Sequence, residues 1–157
     1  MHRPSFALAA LFATLCATAA PAADVDFAAS LTNACTLTVP TGGTLALSAS
    51  GTVLGSEETG GAPATISVLS IGGSTLTVGA PAVQASPAGY VATNQTVEVA
   101  YTGASGLGAV SQAYTSSQTT VTLATIPLSV LTLNAKVTNP DSFVDGDYTV
   151  RTVVTCS

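Results

Sequence analysis

The stretch from Asp147 to Cys156 constrains the fold of this chain most, because it alternates at period two and ends in a cysteine. One face of the alternation carries Tyr148, Val150, Thr152, Val154 and Cys156. Threonine, arginine and valine occupy the other face. This pattern predicts one long, half-buried β-strand, since successive side chains of a strand point to opposite faces.

The cysteine content predicts one covalent tie between the ends of the domain. Cys16 lies in an N-terminal apolar run and follows Leu15, whereas a lipoprotein signal requires a small residue there, so lipidation is not favoured. Cys35 and Cys156 remain, and we predict that they form a disulfide, as cysteines of exported proteins commonly do. It would close a loop of about 120 residues and stabilise the fold by roughly 4–5 kcal/mol. The alternatives are free thiols or a metal pair, although two cysteines without histidine make a poor zinc site.

The N-terminus has the organisation of a cleavable export signal. His2 and Arg3 precede the apolar run Phe6–Ala20, and small residues follow it, so cleavage is expected after Ala22 or Ala23. The run is about 15 residues long, short of the roughly 20 that span a bilayer. We therefore expect a signal peptide over 1–22, a single exported domain over 23–157 in the periplasm or at the cell surface, and no membrane span.

Composition favours strands and excludes one class of partner. Hydrophobic residues make up 47% of the chain and charged residues 7%, against roughly 25% charged in typical soluble domains. The abundant threonine and valine suit a pleated, half-buried surface. The net charge of −5 comes without a basic patch, so no nucleic-acid partner is expected.

The alternation along the chain predicts an all-β, immunoglobulin-like β-sandwich of about 7–9 strands. The first predicted strand, Val25–Leu31, bends or bulges at Asn33-Ala34 and continues over Cys35–Val39. The other predicted strands are Thr44–Ser48, Ala64–Ile71, Ser74–Val78, Tyr90–Tyr101, Thr119–Ile126, Leu128–Val137 and the final strand. The predicted loops or irregular edges are 49–63, 79–89 and 102–117. Gly72-Gly73 is expected to form a tight hairpin turn, because glycine accepts the positive φ that such turns need.

Two stretches carry a family resemblance. Val25-Asp-Phe-Ala-Ala-Ser-Leu-Thr-Asn-Ala-Cys35 resembles the start of pilin and spore-coat-U-like domains, and Gly146-Asp-Tyr148-Thr-Val-Arg-Thr-Val-Val resembles their final strand. Membership implies an immunoglobulin-like sandwich used in surface fibres or coats, with other subunits and a periplasmic chaperone as partners. The resemblance covers only the two ends of the chain, and the cysteine spacing differs, since pilin cysteines commonly pair near the N-terminus.

The resemblance leaves the role of the first strand open. Polymerising pilins carry an N-terminal segment that adds a strand to the next subunit. Either Val25–Leu31 is that segment, or the domain completes itself. We expect a self-complete domain, because a disulfide between the ends places both end strands in one closed fold.

The sequence offers few residues for chemistry. Asp141, Asp145 and Asp147 are the one acidic cluster that could bind Ca²⁺, although the glutamate that ends a twelve-residue calcium loop is missing. The alternative is a polar corner that turns at Gly146. No cofactor is predicted.

Enzymatic activity is not expected. Glu57-Glu58 is interpreted as a solvated loop tip, and a glycosidase would need these acids to face Glu98 across a cleft. The mature chain has no histidine, and a serine nucleophile would depend on Lys136 as its base.

Two hypotheses about function follow. The first is a structural or adhesive protein that assembles through strand edges. The alternative is a carbohydrate- or ligand-binding module that uses Tyr90, Tyr101 and Tyr114 as stacking groups. Tyr148 is expected either to hydrogen-bond back to its own corner, as tyrosines at the entrance of late sandwich strands do, or to pack its ring in the core.

Overall fold

A computed structural model describes residues 34–105, 108–123 and 129–157, and this part of the chain is all-β, without helix. The described strands are β1 (Ala34–Thr41), β2 (Ala46–Leu47), β3 (Val53–Gly55), β4 (Ala64–Ile71), β5 (Ser74–Val78), β6 (Ala82–Ala85), β7 (Thr96–Ser105), β8 (Gly108–Thr115), β9 (Thr119–Leu123), β10 (Ser129–Thr138), β11 (Thr149–Arg151) and β12 (Val154–Cys156). The predicted signal peptide and the predicted strand Val25–Leu31 lie outside the described residues.

The strands form antiparallel sheets around the long strand β10. In the large sheet, β10 pairs along its whole length with β7, and β8 lies beyond β7. On its other side, β10 pairs first with β4 and then with β3, while β1 lies beyond β4 and β2 beyond β3. A three-stranded sheet has the order β12-β5-β9, and β11 pairs with β6.

One hydrophobic core joins the large sheet to the three-stranded sheet. Its fully enclosed residues are Ile66, Val68, Val99, Tyr101, Leu131 and Leu133 from the large sheet, and Leu76, Val78 and Leu123 from the three-stranded sheet. Each sheet thus buries one face against the other, which is the packing of a β-sandwich. The inward face predicted for β4 and β10 is confirmed, since Ile66, Val68, Leu131 and Leu133 are at most 6% exposed.

The segment Gly72-Gly73 changes sheets. Both glycines have the expected positive φ, 88° and 84°. The predicted hairpin is nevertheless wrong, because β4 pairs with β1 and β10, whereas β5 pairs with β9 and β12. The crossing is held by a buried hydrogen bond of 2.8 Å in which the Ser70 hydroxyl donates to Ser74 Oγ. The same glycine freedom that suits a hairpin here carries the chain from one layer to the other.

Three segments predicted as loops or irregular edges contain strands. β3 lies within 49–63, β6 within 79–89 and β8 within 102–117. Leu54 in β3 is only 8% exposed. β3 and β6 have only three and four residues, and β8 is rich in glycine and alanine. Glycine and alanine have low β-propensity, so hydrogen bonds from a neighbouring strand decide the conformation of these segments. Together with the break in the final strand, these three additional strands bring the described part to twelve, where 7–9 were predicted.

The final strand is interrupted opposite Gly79. β11 pairs with β6 and β12 with β5, and the residues between them do not continue the ladder. There the Thr152 hydroxyl donates to the Gly79 carbonyl at 2.6 Å, and the Gly79 amide donates to the Val153 carbonyl at 2.8 Å. The predicted alternation persists through the break, since the even-numbered residues from Tyr148 to Cys156 are half-buried and the odd-numbered ones between them are exposed.

The predicted disulfide is present. Cys35 in β1 and Cys156 in β12 are bonded, with a Cα–Cα distance of 6.0 Å across a sequence separation of 121. β1 belongs to the large sheet and β12 to the three-stranded sheet. The staple therefore ties together the two layers of the sandwich, as well as the two ends of the described chain.

Candidate functional site: an open groove between the sheets

A groove of about 610 Å³ opens between the two sheets along one side of the sandwich. β1 forms one wall, and the final strands β11 and β12 form the other. The floor is the inner face of the large sheet, where Ile66, Val99 and Leu133 lie. The groove is thus lined by core residues of the sandwich.

The wall formed by the final strands is an incompletely covered core face. Tyr148, Val150, Thr152 and Val154 all line the groove and are half-buried. In the adjacent strand β5, by contrast, Leu76 is 0% exposed and Val78 is 1% exposed. Alternation gives β5 and the final strands an inward face, but the inward side chains of β11 and β12 are only half-buried, although Val154 and Cys156 pack against the core.

The β1 wall is even more open. Leu37 is half-buried, and Val39 is 61% exposed, although both side chains line the groove. A register shift between Thr38 and Thr41 bends this end of β1 against β4. The groove therefore presents aliphatic side chains on its floor and on both walls.

Both walls also have free strand edges in the described part of the chain. There β1 pairs only with β4, β12 only with β5 and β11 only with β6. Each wall thus presents a row of backbone amides and carbonyls without ladder partners, which is a template for adding a strand. The disulfide between Cys35 and Cys156 connects the walls at one end.

A ring of aromatic side chains stands at the other end, and we call Tyr90, Phe143 and Tyr148 the aromatic corner. Tyr148 makes the predicted corner hydrogen bonds, since its hydroxyl donates to the Val144 carbonyl at 2.9 Å and accepts from the Val144 amide at 3.1 Å. Its ring meets Tyr90 and Phe143 edge-on at centroid distances of 5.1 Å and 5.4 Å. Burial raises the pKa of the Tyr90 phenol.

Asn139 supports this corner, and the sequence marks it only weakly. It is fully buried at 0% exposure. Its side-chain amide donates to the Val91 carbonyl at 2.9 Å, and its side-chain oxygen accepts from the Asp141 amide at 3.0 Å. Because its polar atoms are paired, Asn139 can join the loop after β10 to the segment before β7 without an unsatisfied group. An Asn-Pro pair after a strand is the only sequence signal of this role.

The acidic residues do not form a metal site in the described ranges, where no three His, Cys, Asp or Glu side chains come together to hold an ion. Asp141 instead accepts a hydrogen bond of 3.1 Å from the Asn94 side chain. The structure does not bring Asp145 and Asp147 together with it as a ligand set. Calcium binding by these residues stays a prediction without a preformed cage.

The three tyrosines proposed as stacking groups have different surroundings. Tyr101 is 2% exposed and hydrogen-bonds Thr119 at 3.0 Å, so its interpretation as an exposed stacking group is wrong. Tyr90 belongs to the aromatic corner. Tyr101 is inward because it follows Val99 at period two on β7, whose inner face meets the core.

Tyr114 is held by charged neighbours. Its hydroxyl donates to Glu57 at 2.6 Å, and Lys136 Nζ lies 4.3 Å from its ring centroid. Burial, together with the hydrogen bond to Glu57, raises the pKa of this phenol. Lys136 also pairs with Glu98 at 3.0 Å, across the β10–β7 ladder. Glu57, predicted to be a solvated tip, is exposed but takes part in this network.

These features define an all-β protein of two disulfide-linked layers with a strand-sized groove between them. No helix in the described ranges is long and apolar enough to cross a membrane. No protein-family model matches the chain, and comparisons with curated proteins and with solved structures find no significant match.

Proposed function

We propose that this chain is an exported structural or adhesive protein, a subunit or accessory of a surface fibre or coat, and that it assembles by accepting an extended strand into its groove. One observation carries the proposal: the inner face of the final strands is half-buried, whereas the neighbouring face of β5 is fully buried. An immunoglobulin-like topology belongs to the same proposal. A periplasmic chaperone would be expected to cover the groove before assembly.

The groove offers a partner strand both kinds of stabilisation. Its edges supply backbone hydrogen bonds, and its aliphatic walls supply burial, which is how strand addition achieves affinity and specificity. Leu37, Val39, Val150 and Val154 would each complete their burial. Full burial of such a side chain is worth roughly 1.5–3 kcal/mol, so completing four partly buried ones contributes a few kcal/mol.

The chain contains a segment of suitable pattern. Val25, Phe27, Ala29 and Leu31 alternate with small or polar residues. At about 3.3 Å per residue, these seven residues span roughly 20 Å, one residue longer than the wall formed by Thr149–Val154, which spans roughly 17 Å. The segment lies outside the described residues. A self-complete domain, as expected from the sequence, would place it in its own groove, whereas a fibre subunit would place it in a neighbour's.

Peptide binding tests the groove. We expect a labelled peptide of residues 24–32 to bind the mature chain at micromolar concentration, and the same peptide carrying Phe27→Asp not to bind. Val150→Lys should weaken binding at least tenfold, because it places a charge on the apolar wall. Thr155→Lys, at an exposed position of β12 that does not line the groove, is the matched control. Equal weakening by both variants would refute the proposal, as would no complex at millimolar peptide together with an unfolding midpoint that Phe27→Lys leaves unchanged.

Phe27→Lys in the full mature chain separates the two placements of the segment. In a fibre subunit it removes oligomers seen by native mass spectrometry and leaves the unfolding midpoint of the monomer unchanged. In a self-complete domain it lowers that midpoint.

Export is checked by N-terminal sequencing of secreted protein, which should begin after Ala22 or Ala23.

A carbohydrate-binding module is the second candidate, favoured by the aromatic corner. Tyr90 and Phe143 stack at a centroid distance of 5.7 Å, and both are only half-buried. The hydrogen-bonded pair Asn94–Asp141 supplies polar groups of the kind that sugar hydroxyls need. A hit in a glycan screen that is lost in Phe143→Ala but kept in Val144→Ala would support this function. A screen without hits would remove it.

A further inference from the structure

Strands β8 and β9, on the side of the sandwich opposite the groove, have no charged residue of their own, although Glu57 and Lys136 contact Tyr114 near the end of β8. From Val99 to Ala135 the sequence contains no Asp, Glu, Lys, Arg or His. This run includes β8 and β9 completely. The six acidic residues of the described part all lie outside it: Glu57, Glu58, Glu98, Asp141, Asp145 and Asp147.

The topology places both of these strands at sheet edges. Within the described residues β8 pairs only with β7, at the edge of the large sheet, and β9 pairs only with β5, at the edge of the three-stranded sheet. The groove lies at the other edges of the same sheets, along β1 and β12. We call β8 and β9 together the neutral rim.

The edge of β8 lacks the devices that usually prevent pairing. Proteins protect such edges with charges, prolines or bulges. From Gly108 to Gln112 the strand has no charge and no proline, and its register with β7 is regular. A register shift follows Gln112, whose side-chain amide donates to the Ala113 carbonyl at 3.0 Å. The shift restricts the unprotected edge to this five-residue stretch.

We propose that the Gly108–Gln112 edge pairs antiparallel with the same edge of a second copy of this chain, which extends the large sheet across a two-fold axis. A symmetric contact brings identical surfaces together, so any charge on it would face its own copy. In a chain of net charge −5, a neutral edge is where two copies approach with the least repulsion. Ala109 and Ser111 are exposed and small, so they leave the backbone accessible.

The contact is weak by itself. Stable interfaces bury at least about 1,200 Å² in total, more than a five-residue ladder supplies. Its affinity therefore depends on how many such contacts form at once. Chains already joined through another contact present several β8 edges, and linked weak contacts gain affinity through a high effective concentration. This pairing is independent of the groove and does not require the proposed function.

Sedimentation equilibrium of the mature protein tests the pairing. We expect reversible dimers at high micromolar to millimolar concentration. Ser111→Lys should raise the dissociation constant at least tenfold, because it places like charges across the two-fold axis. Thr36→Lys makes the same charge change at an exposed position on β1 and should leave dimerisation unchanged. Circular dichroism and the unfolding midpoint establish that both variants are folded.

Site-specific cross-linking identifies the edge. Ser111→Cys treated with a short bismaleimide should give covalent dimers, whereas Thr36→Cys should remain monomeric. A protein that stays monomeric at millimolar concentration, equal loss of dimer in both lysine variants, or dimers captured through Thr122→Cys on β9 but not through Ser111→Cys would each overturn the proposal. Peptide binding in the groove should be the same in Ser111→Lys as in the wild type, which keeps this test separate from that of the groove.

Discussion

Removing the disulfide is the sharpest test of how this sandwich is held together. The Cys35→Ser/Cys156→Ser double variant releases a loop with a sequence separation of 121. In the chain-entropy relation such a loop restricts the unfolded chain by about 16 cal/mol/K, which is roughly 5 kcal/mol at 25 °C. That is a large part of the 5–15 kcal/mol that ordinary domains have, so the unfolding midpoint should fall by on the order of 15–25 °C.

Urea unfolding measures this effect directly. The free energy of unfolding of the double variant should lie about 5 kcal/mol below that of the oxidised wild type, and the wild type in reductant should resemble the variant. The variant should not respond to reductant, which separates the disulfide from other effects of the reagent. A difference below about 1 kcal/mol would show that this bond does not restrict the unfolded chain as the relation assumes.

The remaining predictions concern single side chains. Leu76→Ala, at 0% exposure in the central strand of its sheet, should cost about 2–5 kcal/mol in urea unfolding, whereas Val153→Ala, at 59% exposure, should stay within about 0.5 kcal/mol of wild type. Asn139→Ala should cost roughly 1–3 kcal/mol, because it removes the two hydrogen bonds that this fully buried side chain makes to Val91 and Asp141, and faster hydrogen exchange around residues 91 and 141 should report it. The raised pKa of Tyr114 means that its contribution to stability is complete below the ordinary phenol pKa of 10.0 and is lost as the pH rises above it. Tyr114→Phe should therefore flatten the fall of the urea midpoint above pH 10.0, and an unchanged pH profile would contradict the burial of this phenol.

Much of the fold was predictable wherever one strand face is buried. β4 was expected over Ala64–Ile71 and has those bounds. It was predictable because Ile66 and Val68 alternate with other residues and form its buried face. The disulfide was predictable because two cysteines remain after the expected signal. β3, β6 and β8 were not, because β3 and β6 are very short, β8 is rich in glycine and alanine, and hydrogen bonds from neighbouring strands decide such segments.

The groove was likewise predictable only in part. Alternation identified the inward face of the final strand, from Tyr148 to Cys156, and the Tyr148 corner was expected from its place before that strand. Alternation could not show that this face is left uncovered, because exposure depends on what packs opposite. Tyr101 illustrates the same limit. Its period-two spacing is compatible with a core position and with an exposed stacking group, and only the packing of the two sheets shows that it is buried.

By itself, the sequence determined the class of structure. Local alternation and β-branched content specify strands, because both act over a few neighbouring residues. The disulfide follows because only two cysteines remain after the expected signal peptide. Only the tertiary structure decided where the strands meet, that Gly72-Gly73 crosses between layers, and that a groove lies on one side and a neutral edge on the other. Pairing and coverage are relations between residues far apart in the chain, and no local pattern encodes which edge remains without a neighbour.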